Sequence, residues 1–161
     1  LATEEGVHGF TYDPTVGEFF LSHEDIRIPD GGEIYAVNEA NQPFWTEGVQ
    51  RWVAEMKAPT ADGKRGRTMR WVGSLVADAH RTLMRGGIFA YPSDSIHTAG
   101  RLRLLYEANP FAFIFEAAGG AASTGTGRIL DVLPHELHQR VPLVLGSKHE
   151  VARFSELAHP G

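Results

Sequence analysis

The chain has 161 residues, 42% of them apolar and 22% charged, with a formal net charge of −5 and no cysteine. This balance fits one folded domain with a core and excludes global disorder, a disulfide framework and thiolate chemistry. The negative charge argues against a general nucleic-acid binder, whose affinity rests on Lys and Arg neutralising phosphates, and no apolar run is long enough to span a bilayer.

The opening "LATEEGVHGF" lacks the basic start and apolar centre of a signal peptide. A cytoplasmic protein is therefore the expectation, and a start at Leu1 without Met reads as a fragment or a processed product. Residues 8–30 read as short strands: "GFTYD", a turn from Asp13-Pro14 to Gly17, "EFFLS", then "IRIP" closed by Asp30-Gly31-Gly32. "EIYAV" is the next strand and ends near Asn38. Trp45, Val49, Trp52, Val53 and Met56 follow helical spacing, which predicts a helix lying on the sheet. Ala58 to Thr68, rich in Pro, Asp, Gly and basic residues, reads as a mobile loop, and Lys64, Arg65 and Arg67 within it as a solvated charge run. Removing this loop is expected to leave the fold intact.

Gly73 to Met84 predicts a second helix with Val76, Ala77, His80 and Leu83 on its inner face and Gly86-Gly87 as its stop. His80 is thus expected to be a satisfied buried histidine. "IFAYP" reads as a buried strand, and a loop from Ser93 to Gly100 leads to strand-like "RLRLLYE". Asn109 then reads as a helix cap, Pro110 as a first helical residue and "FAFIFEAA" as a helix buried between layers. "GGAASTGTG" lacks the Lys of a P-loop and reads as turn and strand. Strand-like "RILDV", a helical turn near "PHELH", strand "VPLVLG" and a helix from His149 to Leu157 complete the chain. Alternation of this kind predicts a layered α/β domain.

Glu107 is an isolated carboxylate near a helix start, suited to a hard ion; by spacing alone it reads as a helix-end group with a stabilising role. Arg70 offers a planar fork of donors, and Tyr91, Tyr106 and Asn38 are neutral donors, a set suited to phosphate. His135 and His138 stand at i and i+3 with no third ligand nearby and read as structural hydrogen-bonding groups. Asp13-Pro14 reads as a hairpin turn.

"RWVGSLVADAHRTLMRGGIFAYP" and "GRLRLLYEANPFAFIFEAAGG", with "IYAVNEAN" before and "LHQRVPLVLGS" after, resemble the C-terminal half of class I fructose-1,6-bisphosphatases over nearly the whole chain. These are metal-dependent sugar phosphatases related to inositol phosphatases. The resemblance implies a mixed β-sheet flanked by helices, with residues 1–161 as a single C-terminal substrate-binding domain. The N-terminal domain, with the principal metal carboxylates and the AMP site, would lie outside this chain.

By the same resemblance Glu107 is the catalytic residue and metal ligand, for Mg²⁺ with Mn²⁺ or Zn²⁺ as alternatives. Asn38, Arg70, Trp71, Gly73, Leu75, Tyr91 and Arg101 would bind substrate, with Arg70 reaching the site of a neighbouring subunit in a dimer or tetramer. The implied reaction is hydrolysis of the 1-phosphate of fructose 1,6-bisphosphate, in gluconeogenesis or the Calvin cycle, the chain alone being inactive. A catalytically silent sugar-phosphate-binding or assembly domain and a sedoheptulose-1,7-bisphosphatase are the alternatives. Three positions depart from the family pattern. Arg101 stands where Lys is common, Trp71 where Tyr is usual, and Asn41 where some members have Tyr.

Overall fold

A computed structural model describes residues 1–158. The chain begins with a miniature ribbon of β1 (Ala2–Thr3) and β2 (Gly6–Val7), then the hairpin β3 (Gly9–Asp13) and β4 (Glu18–His23). The Asp13 carboxylate accepts the Thr15 amide at 2.8 Å and the Thr15 hydroxyl at 2.7 Å, and Gly17 N–H donates to the Asp13 carbonyl, which confirms the turn. "IRIP" forms no strand. Its Ile26 and Ile28 amides instead donate singly to Val7 and Ala118, tying an irregular segment across the domain.

Strand β5 (Ile34–Ala36) leads through a 3₁₀ turn, Glu39–Phe44, to α1 (Glu47–Lys57), which Thr46 caps by accepting from the Val49 amide. Val49, Trp52, Val53 and Met56 are buried as the spacing requires. The next loop ends at β6 (Thr68–Met69), so Thr68, read as loop, is part of the sheet. Arg67 is not simply solvated either: it pairs with Glu150, whose side chain is buried.

Helix α2 (Leu75–Arg85) buries Asp78, Ala79, Thr82 and Leu83. His80 is exposed, and Val76 is 66% exposed, so the buried stripe is rotated from the one read in the sequence. The polar Asp78 and Thr82 displaced the expected apolar pattern because both find partners inside. β7 (Ile88–Tyr91) follows as predicted, then β8 (Leu102–Arg103). "RLRLLYE" is strand only in its first residues: Leu104–Ala108 is a π-helical turn that runs directly into α3 (Asn109–Ala117). Asn109 has helical dihedrals, φ −62° and ψ −48°, and so is not a cap. Ala112 and Phe115 of α3 are buried while Phe113 is 39% exposed, so only one side of this apolar helix meets the core.

β9 (Ala121–Ser123) and the tight turn after it match the reading of "GGAASTGTG". "RILDV" is a 3₁₀ turn at Ile129–Asp131, and the "PHELH" region has no helix. Pro142 divides "VPLVLG" into β10 (Arg140–Val141) and β11 (Leu143–Gly146), and α4 (Lys148–Ala158) closes the described chain.

The main sheet has the order β6-β5-β7-β11-β9, with β6, β5 and β7 parallel and β11 antiparallel to both its neighbours. Both faces are covered. Tyr35, Val37, Ile88, Ala90 and Val144 pack with α1 and α4, while the intervening Ala36, Phe89, Leu143 and Leu145 pack with α2 and α3. This is the expected mixed sheet flanked by helices. Among the described residues no helix is long and apolar enough to cross a membrane.

Gly86-Gly87 does more than stop α2. Gly87 has φ +88°, and a Cβ there would lie 2.1 Å from the Ile34 carbonyl oxygen, because β7 starts hard against β5. Strain and overlap together predict that Gly87→Ala loses about 3 kcal/mol or more of stability, measured by urea denaturation.

Candidate functional site

Parallel strands bring their carboxyl ends to one edge of a sheet, and in open α/β folds ligands bind outside that edge. Here β6, β5 and β7 are adjacent and parallel, with Ile34 beside Thr68 and Ala36 beside Phe89. Arg70 follows the end of β6, Asn38 lies two residues beyond β5, and Tyr91 is the last residue of β7. Residues spread over 54 positions of sequence thus share one edge. The Arg70 amide extends the ladder by donating to the Tyr35 carbonyl at 3.0 Å. Its side chain is exposed and has no ion pair among the described residues.

Trp71, Tyr91 and Arg101 form a continuous row. The Trp71 ring stacks on buried Phe89 at 5.8 Å and 13°, and meets Tyr91 tilted at 5.5 Å. Arg101 places its guanidinium carbon 5.8 Å from the Tyr91 ring centre. Trp71, Leu75 and Tyr91 all pack on the α2/α3 side of the sheet. Gly73 has φ +82°, a conformation that favours glycine and lets the loop turn into α2.

Asn38 begins the 3₁₀ turn, its side-chain oxygen accepting from the Ala40 amide at 3.3 Å. Glu39 fixes the same turn by accepting from the Tyr35 hydroxyl at 2.7 Å and the Lys57 ammonium at 2.6 Å. Burial pushes the Glu39 carboxyl up, but Lys57 and Tyr35 outweigh it and hold the group below its ordinary value.

Glu107 lies in the π-helical turn, a distortion often found at functional sites. One carboxylate oxygen accepts the Arg103 amide at 2.7 Å, and the other is 3.5 Å from the Arg103 guanidinium. Lone pairs remain on the carboxylate that suit a hard cation, but Glu107 stands alone: among the described residues no three His, Asp or Glu side chains gather to hold a metal. His138 instead hydrogen-bonds the Tyr106 hydroxyl at 2.7 Å, the structural role read for it, although no helix carries it.

Asp94 was missed by sequence reasoning. It is buried, and takes the Ile96 amide at 2.9 Å, the His97 amide at 2.6 Å, the His97 ring at 3.2 Å and Arg101 at 3.0 Å. It therefore orients the Arg101 guanidinium beside Tyr91. The available signal was "SDSIH", an Asp two and three residues before the amides it accepts.

The family model for the fructose-1,6-bisphosphatase C-terminal domain matches residues 28–159. The chain is 64% identical over 151 residues to a class 1 fructose-1,6-bisphosphatase of Sorangium cellulosum, covering 94% of this chain and 43% of that protein. It is 52% identical over 157 residues to one of Persephonella marina, covering 97% and 47%. A crystal structure of Leishmania major fructose-1,6-bisphosphatase in holo form superposes with a TM-score of 0.91 at 44% identity, over 96% of this chain and 46% of that one. The chain thus spans about half the length of the relatives it matches.

Asp94 makes a pH-dependent contribution to stability. Burial raises its pKa, but the bonds from His97, Arg101 and Ile96 outweigh burial and lower it overall. A lowered folded pKa stabilises fully above the unfolded value of about 3.9, and the contribution drains away as pH falls through the folded value. Asp94→Asn should cost about 2 kcal/mol at pH 7 in urea unfolding, with the gap to wild type narrowing below about pH 4.

Proposed function

Because the chain belongs to the fructose-1,6-bisphosphatase C-terminal domain family, we propose that it is the sugar-phosphate-binding half of a class 1 fructose-1,6-bisphosphatase. The observation that carries this reading is the meeting of Arg70, Asn38 and Tyr91 at the carboxyl ends of three adjacent parallel strands, with Trp71 and Arg101 alongside. In this reading residues 1–161 are one C-terminal domain, working in the cytoplasm with an N-terminal domain that carries further metal ligands.

The reaction puts a water oxygen on the phosphorus of the 1-phosphate, breaks the bond to the C1 oxygen and returns a proton to that oxygen, leaving fructose 6-phosphate and phosphate. Asn38 and Tyr91 act as neutral donors to the chain's own substrate, while Arg70 presents its fork of N–H donors to phosphate oxygens in a neighbouring subunit's site. Arg101 adds a positive charge whose direction Asp94 sets. Trp71 offers an indole N–H that can only donate, and the Gly73 backbone and Leu75 lie against the sugar. Holding the substrate in one alignment is itself a large part of catalysis.

Glu107 supplies one oxygen ligand to a divalent cation, Mg²⁺ by preference for hard oxygen donors, with Mn²⁺ or Zn²⁺ as alternatives. A bound cation would polarise the phosphoryl group and lower the pKa of the attacking water. The exposed Arg70 side chain supports a homo-oligomer in which it reaches a neighbouring subunit's substrate.

The test is phosphate release from fructose 1,6-bisphosphate with Mg²⁺, in the intact native polypeptide containing these residues. Glu107→Gln should lower kcat by about 100-fold or more, the scale of losing a group that acts on the transition state. Arg70→Ala should act mainly on KM. Hydrolysis of sedoheptulose 1,7-bisphosphate in preference would change the assigned sugar. Binding of fructose 6-phosphate without any hydrolysis would make this a silent sugar-phosphate-binding domain.

A further inference from the structure

Helix α2 turns a buried carboxylate back toward the loop that precedes it. Asp78 is 0% exposed and accepts the Val72 amide at 3.2 and 3.1 Å and the Gly73 amide at 3.2 Å. The Arg81 guanidinium pairs with Asp78 at 2.7 Å, and the same nitrogen donates to the Arg70 carbonyl at 2.9 Å. One turn of helix therefore grips the 70–74 loop at its first residue and at its middle.

We propose that Asp78 and Arg81 are positioning residues for phosphate recognition, a clamp that sets the path of the loop presenting Arg70, Trp71 and Gly73. The proposal rests on the reading of these residues as substrate-binding. Its physical basis is that, beyond the Trp71 ring packed on Phe89, the middle of the loop from Val72 to Ser74 has little else to hold it. The Val72 side chain is 64% exposed, Gly73 has no side chain, and Ser74 makes no side-chain capping bond to α2. The loop amides are instead tied to a carboxylate shielded from water, where charge-assisted hydrogen bonds are strong. The Arg70 backbone is secured on both sides, its amide by β5 and its carbonyl by Arg81. The exposed guanidinium of Arg70 then projects from a rigid stem.

A clamp of this kind separates from a merely structural ion pair in kinetics. Asp78→Asn leaves one acceptor for two amides, and Arg81→Lys keeps the charge near Asp78 but on a shorter side chain, which withdraws the nitrogen that reaches both Asp78 and the Arg70 carbonyl. In the intact native polypeptide, both variants should raise KM for fructose 1,6-bisphosphate about tenfold with kcat within about twofold, the mark of lost ground-state positioning. Amide hydrogen exchange at Val72 and Gly73 should quicken about tenfold while β7 stays protected. An unchanged KM, with kcat falling only in proportion to the folded fraction, would overturn the proposal. Should the wild type release no phosphate, the substrate reading fails, and exchange alone decides the clamp: quickening confined to residues 70–74 supports it, and unchanged exchange there refutes it. If Asp78→Asn does not fold, Arg81→Lys gives the same readouts.

Discussion

Strand β7 is buried on both faces, with Ile88 and Ala90 against α1 and α4 and Phe89 against α2 and α3. A strand placed so cannot slip by one residue without exchanging its two sets of packing partners. Its start is confined as well, since Gly87 lies against the Ile34 carbonyl with no room for a side chain. With β7 locked, β5 and β6 are set in parallel register beside it, and the positions of Tyr91, Asn38 and Arg70 follow. The candidate site is thus a consequence of core packing first and of polar contacts second.

The polar contacts have a common design. Asp94, Glu39 and Asp78 lie beneath or beside the exposed donors and are satisfied by backbone amides or by cations. Removing a carboxylate from water costs free energy that several directed hydrogen bonds offset, and the return is a fixed loop. Arg101, Asn38 and Arg70 are each one step from such a group. Under the proposed function, donors held this way would lose less freedom on binding a phosphate. The aromatic row of Phe89, Trp71 and Tyr91 extends the core outward to the same edge, so the site grades from apolar floor to charged rim.

The elements most legible in the sequence were those whose patterns come from burial of one or two faces. α1 showed its stripe at Val49, Trp52, Val53 and Met56, and "IFAYP" showed itself as a buried strand. α2 was found, but its inner face was misplaced, because Asp78 and Thr82 are buried through hydrogen bonds and not through apolar character. "RLRLLYE" and "RILDV" have the β-rich composition of strands, yet a π-helical turn and a 3₁₀ turn occupy them. In both places tertiary contacts overrode local preference. The candidate residues were found through family resemblance, and Asp94 and Asp78 were passed over because a lone Asp carries no periodicity.

The sequence by itself determined the layered α/β class, the order of the principal helices and strands, and the stop of α2 at Gly86-Gly87, since these rest on local periodicity and backbone freedom. Only the tertiary structure decided which strands are neighbours and which carboxylates are buried beneath the loops. It also decided that Glu107 accepts from the Arg103 amide inside a π-helical turn. Those outcomes depend on residues far apart in the chain meeting across a packed core, and the energy of such contacts is shared among partners that no single segment contains.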